Sequence, residues 1–144
     1  MANARLSAHA EPQTGAHEEG QLPMRFIEEF GYCVQPGMEE EHQAWLEANE
    51  PGIRGSCPDG VRYLGTFITV YSSEKGAGFY RTLFELDSYG AQDRMAAASK
   101  AADSIFGKLQ REASRFDALD WSAPSSHGLY KAVVDATIFD RPTT

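Results

Sequence analysis

The chain predicts an α+β fold of order βαββαβ, a four-stranded antiparallel sheet with two helices on one face. Three observations carry this. Val61–Ser72 and Gly78–Asp87 are rich in Tyr, Phe, Thr, Val and Ile and flank a short polar turn, Ser73-Glu74-Lys75-Gly76-Ala77, the pattern of a hairpin. Apolar residues from Met95 to Phe116 recur at helical spacing and form one buried stripe. A strand-like run stands near each end, Arg25–Gln35 and Leu129–Phe139, and a helix-like segment, Met38–Asn49, precedes the hairpin.

Taken in order, residues 1–23 hold almost no large apolar side chains. They cannot bury enough surface to offset their ordering entropy, so a flexible tail is expected, with the domain at 24–140 and a short C-terminal tail at 141–144. Met24 stands where the patterning begins and is a candidate start. In the first strand Phe26, Phe30, Tyr32 and Val34 share one parity and Ile27, Gly31 and Cys33 the other, so both faces are expected to be covered. Pro36-Gly37 breaks the chain before Met38–Asn49. There Met38, Trp45 and Leu46 mark an apolar face with His42 between them, and Glu39, Glu40 and Glu41 suit the positive end of the helix dipole. Pro51-Gly52 is expected to end this helix, and residues 50–60 to form a loop. After the hairpin, Asp87 or Ser88 is a candidate cap for one long second helix, which Gly107 bends or splits. Leu119–Gly128 reads as a loop. The last strand shows Tyr130, Ala132, Val134, Ala136 and Ile138 on one parity and Lys131, Val133, Asp135 and Thr137 on the other.

The 144 residues carry a formal charge of −8. That is one domain's worth of chain, and an acidic one with no Lys/Arg cluster is repelled by phosphate backbones and anionic lipid. Nucleic-acid and membrane partners are therefore not expected. No apolar run approaches the ~20 residues of a membrane span, and the first residues lack an apolar signal core. Cys33 and Cys57 have no metal-like spacing and read as free thiols, which points to the cytoplasm.

The order βαββαβ is the ferredoxin-like split βαβ arrangement, in which strands one and three are central. The helix-facing parity is read as Leu64, Ile68 and Val70 on the second strand, Tyr80, Thr82, Phe84 and Leu86 on the third, and the Tyr130–Ile138 set on the fourth. The opposite parity mixes aromatics with spaced charges, as a partly covered face does, and the expected cover is a second copy. The segment Tyr32-Cys33-Val34-Gln35-Pro36-Gly37-Met38-Glu39-Glu40-Glu41-His42-Gln43-Ala44-Trp45-Leu46 resembles the strand–Pro-Gly–acidic-helix–Trp opening of the dimeric α/β-barrel superfamily. That group includes antibiotic-biosynthesis-type monooxygenases, NIPSNAP-like, EthD-like and stress-responsive barrel proteins. The resemblance covers roughly Arg25–Asp140, chiefly as an order of elements. It implies two four-stranded sheets closed into a barrel with the helices outside, and a pocket within the barrel or between sheet and helices. It does not fix a reaction.

Charges placed mid-strand on a covered face are costly unless paired, so Arg81, Glu85, Lys131 and Asp135, with Tyr63, Phe67 and Tyr71, form the first candidate constellation. It is a polar pocket that orients an aromatic or keto-acid ligand, a ring of ion pairs fixing dimer register, or a solvated sheet face. His42 is a candidate general base beside Trp45, and equally a half-buried helix histidine beside a core tryptophan. The catalytic candidates are thus His42, Arg81 and Asp135. The ligand-binding candidates are Trp45, Tyr63, Phe67, Tyr71, Glu85 and Lys131. Glu39–Glu41 with His42 fan round a helix and cannot converge on a metal, no phosphate loop exists, and no haem-contacting set can be placed, so no metal or cofactor is expected. The expected partners are a second copy and a small apolar or aromatic ligand. Two functions fit: a small-molecule-binding barrel with cofactor-free monooxygenase-like chemistry, or a non-catalytic, self-associating accessory domain.

Overall fold

The computed structural model describes residues 25–74, 78–118 and 125–134. Its elements are β1 (Phe26–Tyr32), α1 (Glu39–Ser56), β2 (Val61–Ile68), β3 (Tyr80–Leu86), α2 (Ala91–Lys100), α3 (Ile105–Ala113), one 3-10 turn (Ser114–Phe116) and β4 (Ser126–Lys131). The four strands form one sheet in the order β2-β3-β1-β4, with every pairing antiparallel. Strands one and three are central, as the ferredoxin-like order requires, and the core lies between one sheet face and the helices. Phe26, Tyr63, Phe84 and Leu86 meet Trp45, Ile53, Met95, Phe106, Leu109 and Phe116 there.

Several boundaries differ from the sequence expectation. α1 continues through Pro51 to Ser56. Proline removes one backbone donor, but the carbonyl it deprives lies at Glu47, on an exposed stretch where water can serve it. Burial of Ile53 beyond the proline holds the last turn, and the Ser56 hydroxyl and Cys57 thiol both donate to the Ile53 carbonyl. The long second helix is two helices, broken at residues 101–104 rather than at Gly107. Ser104 caps α3, its hydroxyl accepting from the Gly107 amide at 2.7 Å. Neither Asp87 nor Ser88 caps α2, whose N-cap is Gly90 without a side-chain bond. The first three strands are shorter than expected, while β4 begins three residues earlier, at Ser126.

Gly107 packs directly against the backbone at the C-terminal end of α2. A methyl group there would lie 2.7 Å from the Ala98 carbonyl oxygen and 2.9 Å from those of Ser99 and Ala101. These are backbone atoms that cannot swing aside. Gly107→Ala is expected to destabilise the fold by ~1 kcal/mol in urea denaturation, the overpacking cost exceeding the helix-propensity gain. A stabilised variant would show that the helices separate freely.

The face assignments turn on a bulge in β2. Tyr63 pairs with Phe84 but Gly65 pairs with Leu83, so Leu64 is the extra residue. Gly65 has φ +135°, in the region that favours glycine. Before the bulge Val61 and Tyr63 face the helices; after it Thr66 and Ile68 do, and Phe67 lies opposite Arg81 on the outer face. Strict alternation put Tyr63 outside and Leu64 inside; the bulge reverses the parity at that point. β4 requires a similar correction. Lys131 lies opposite Phe26 and Tyr130 opposite Ile27, so Lys131 is on the helix side and Tyr130 on the outer face. Val70, Val133 and Val134 lie beyond the strands and are exposed.

Candidate functional site

His42 and Trp45 stand three residues apart on α1, hence on one helix face, and both are buried against the sheet. His42 is 3 % exposed. Its Nε2 is hydrogen-bonded to the Tyr32 hydroxyl at 2.9 Å, and its ring meets Tyr80 and Phe116 edge-on. The Trp45 Nε1–H donates to Glu112 on α3 at 3.2 Å. Beneath them runs a second polar chain. The Tyr63 hydroxyl donates to Glu50 at 2.9 Å and lies 2.8 Å from the Thr66 hydroxyl, which is 3.0 Å from that of Thr82. These bonds satisfy polar groups that burial would otherwise leave costly.

Two cavities meet at this point and share His42, Leu46 and Thr66 as walls. The outer one, about 450 Å³, is bounded by Ile68, Phe79 and Tyr80, with Glu39 and Glu40 on its α1 side. The inner one, about 210 Å³, reaches between Phe30, Trp45 and α3 to Gln110, Ser114 and Asp117. Asp117 arrives there because the segment after the 3-10 turn pairs along the end of β1. Gln35 N–H donates to Phe116 O, Ala118 N–H donates to Cys33 O, and the Gln35 side chain donates to Asp117 O.

Burial sets the protonation states. It lowers the His42 pKa from 6.5, so the imidazole is neutral with a lone pair at neutral pH. It pushes the Tyr32 hydroxyl up to about 12 and raises that of Tyr63 further, keeping both protonated. It also raises the Asp117 carboxyl to about 6.

The outer sheet face holds the other candidates. Arg81 pairs with Glu29 on β1, which also accepts from the Tyr130 hydroxyl at 2.8 Å, and with Glu74 at 3.2 Å. Glu85, 1 % exposed, lies between Arg62 at 2.6 Å and Arg25 at 3.7 Å. The partners of these mid-strand charges are therefore on β1, on β2 and just ahead of β1, with Glu74 beyond β2. Phe67 and Tyr71 border a hollow of about 500 Å³ with Arg81 and Leu83. The sheet separates Arg81 and Glu85 from His42 and Trp45, so the candidates divide into two sets, while Phe67 at the edge of the sheet also borders the outer cavity beside His42. Tyr63 belongs with His42. Lys131 is exposed on β4, and Asp135 lies outside the described residues. Tyr32, Thr66, Thr82 and Asp117 were not singled out as site residues. Tyr32 is one of several large residues on one parity of the first strand, and Asp117 is 75 positions from His42, a distance that no local pattern bridges.

Cys33 and Cys57 are free thiols. Among the described residues no group of three or more metal-ligating side chains converges, and no helix is long and apolar enough to cross a membrane. No protein-family model and no curated protein matches the chain. Among solved structures, it is similar to the crystal structure of an uncharacterized NIPSNAP-like domain protein from Burkholderia xenovorans. The two are 15% identical with a TM-score of 0.54, over 86% of this chain and 94% of that one. At that identity the likeness is one of fold: the chain has the βαββααβ architecture of a NIPSNAP-like domain, in line with the resemblance borne by Tyr32–Leu46.

Proposed function

We propose that this protein binds a small apolar or aromatic molecule in the cleft between α1 and the sheet, as a homodimer closed through the outer sheet face. His42 and Tyr32 act in that cleft as its proton-transfer pair. The observation that carries this reading is the buried His42–Tyr32 pair at the junction of two cavities, the outer of which has Leu46, Phe67, Ile68, Phe79 and Tyr80 as its apolar and aromatic walls. A proton leaving an activated C–H or phenolic O–H passes to the Tyr32 oxygen as that hydroxyl gives its own proton to His42 Nε2. In a cofactor-free oxygenation, the carbanion left behind reduces dioxygen. A CH2 becomes C=O, one oxygen atom enters the product, and the other leaves as water with the two hydrogens. The second reading, a self-associating domain without chemistry, is favoured by the exposed apolar side chains Phe67, Val70 and Tyr71 on or beside the outer face.

Thermal shift with naphthalene as a minimal probe separates the two. At about 100 times its Kd the probe should raise the melting temperature by several degrees. Leu46→Trp, which fills the wall between the cavities, should abolish the shift. In an oxygen-electrode screen of hydroxyaromatic compounds, His42→Ala should lose roughly 100-fold or more of any turnover while keeping probe binding. A probe without effect on the native protein, or turnover indifferent to His42, defeats the catalytic reading.

A further inference from the structure

Both cavities mix apolar and polar side chains, and the placement of the polar ones specifies a ligand. This rests on the cleft being the ligand site, as proposed above. The outer cavity presents flat apolar surface from Ile68, Phe79 and Tyr80, and its volume of about 450 Å³ accommodates a fused aromatic ring system. Between the apolar walls Phe30 and Trp45, the inner cavity presents the hydroxyl and amide side chains of Tyr32, Thr82, Gln110 and Ser114, with His42 and Thr66 at the junction. At about 210 Å³ it holds the end of a molecule, a few non-hydrogen atoms or the several waters they displace.

The charges are one-sided. Among the described residues lining either cavity there is no lysine or arginine. Glu39 and Glu40 border the outer cavity and Asp117 the inner one. An anionic ligand would meet no counter-charge, would stand within a few ångströms of Asp117, and would have to approach past Glu39 and Glu40 on a protein of net charge −8. At that separation, with the effective dielectric of a partly buried site, like charges are disfavoured by more than about tenfold in affinity. A buried, unpaired anion is also costly to desolvate. Neutral hydroxyl and amide walls match a neutral hydrogen-bonding group without that penalty, since each supplies both a donor and an acceptor.

We infer that the cleft is specific for an uncharged aromatic molecule with a hydroxyl or carbonyl end. The ring lies between α1 and the β2–β3 edge, and the polar end is seated in the inner cavity against Tyr32, Thr82 and Gln110. The cleft excludes carboxylates and phosphates. The hydroxyl of such a ligand sits beside the Tyr32–His42 pair, where its proton can be taken.

Four probes of one ring system test this by calorimetry at pH 7.5 on the full chain: naphthalene, 2-naphthol, 2-naphthoate and 2-naphthylmethylamine. Naphthol should bind roughly threefold to tenfold more tightly than naphthalene, the worth of one net hydrogen bond, and naphthoate at least tenfold more weakly than naphthol. Thr82→Val should remove naphthol's advantage and leave naphthalene unchanged. Asp117→Asn should strengthen naphthoate binding severalfold and leave naphthalene unchanged. Naphthoate binding as tightly as naphthol, or the ammonium probe binding more tightly than either, overturns the inference even if both variants fail to fold. If naphthalene itself does not bind, the proposed site fails. If naphthalene binds and the four probes do not separate, only the specificity fails.

Discussion

Phe84→Ala is expected to cost ~3–5 kcal/mol of folding stability, the usual range for removing a fully buried phenylalanine. Phe84 is 2 % exposed at the centre of the helix-facing sheet surface. Its ring is met edge-on by Phe30 from β1, Tyr63 from β2 and Phe106 from α3. Truncation therefore opens a void bounded by three separate elements, none of which can close it without leaving its own neighbours. With total stabilities of about 5–15 kcal/mol typical of single domains, the variant should be near the margin of folding. Urea denaturation at fixed protein concentration measures it, since self-association would shift the midpoint. Phe67→Ala is the control: Phe67 lies on the outer face, half exposed, and its loss should cost far less. Equal costs for the two variants would mean that the outer face is as deeply buried as the core, and that the helix side alone does not hold the fold.

Asp117→Asn is expected to stabilise the protein at neutral pH by ~2 kcal/mol, and to leave it unchanged below about pH 4. Burial raises the Asp117 carboxyl from 3.8 to about 6 in the fold. The folded state therefore holds its proton more tightly than the unfolded chain does. That contribution is complete below the unfolded pKa and is lost as pH rises through about 6, where the fold must carry a carboxylate short of water. Asparagine never ionises, so the gain appears across that window and levels off above it. The figure is set below the full linkage value because Asp117 keeps partial contact with solvent. His42 acts in the opposite sense. Its lowered pKa means that stability falls as pH drops below about 6.5, but the two proteins share that term and it cancels in their difference. A constant difference from pH 4 to 8 would show that Asp117 titrates normally and that the inner cavity is well hydrated.

His42 and Trp45 were legible before the fold was known, because a histidine three residues from a tryptophan on an amphipathic segment must share its face. Arg81 and Glu85 were legible as charges needing partners across strands. Which residues those partners are, Glu29 on β1 and Arg62 on β2, only the sheet register shows. Alternation alone sets Tyr63 on the outer face, because it carries no memory of an inserted residue and nothing about Leu64 marks it as one. Tyr32 and Asp117 escaped because their roles depend on what the chain brings to them from ten and 75 positions away.

The sequence by itself determined the strand–helix order, the antiparallel sheet with central first and third strands, and the net acidic charge. These follow from periodicity, punctuation and charge, which act over a few residues or over the whole chain. Only the tertiary structure decided the parity of β2 and β4, the passage of α1 through Pro51, the break between α2 and α3, and the meeting of His42 with Tyr32 above two cavities. Each of these depends on one bulge, one buried side chain or one backbone approach. Such a choice is worth about 1–3 kcal/mol, too little to mark the local sequence and enough to select among packings of the same elements.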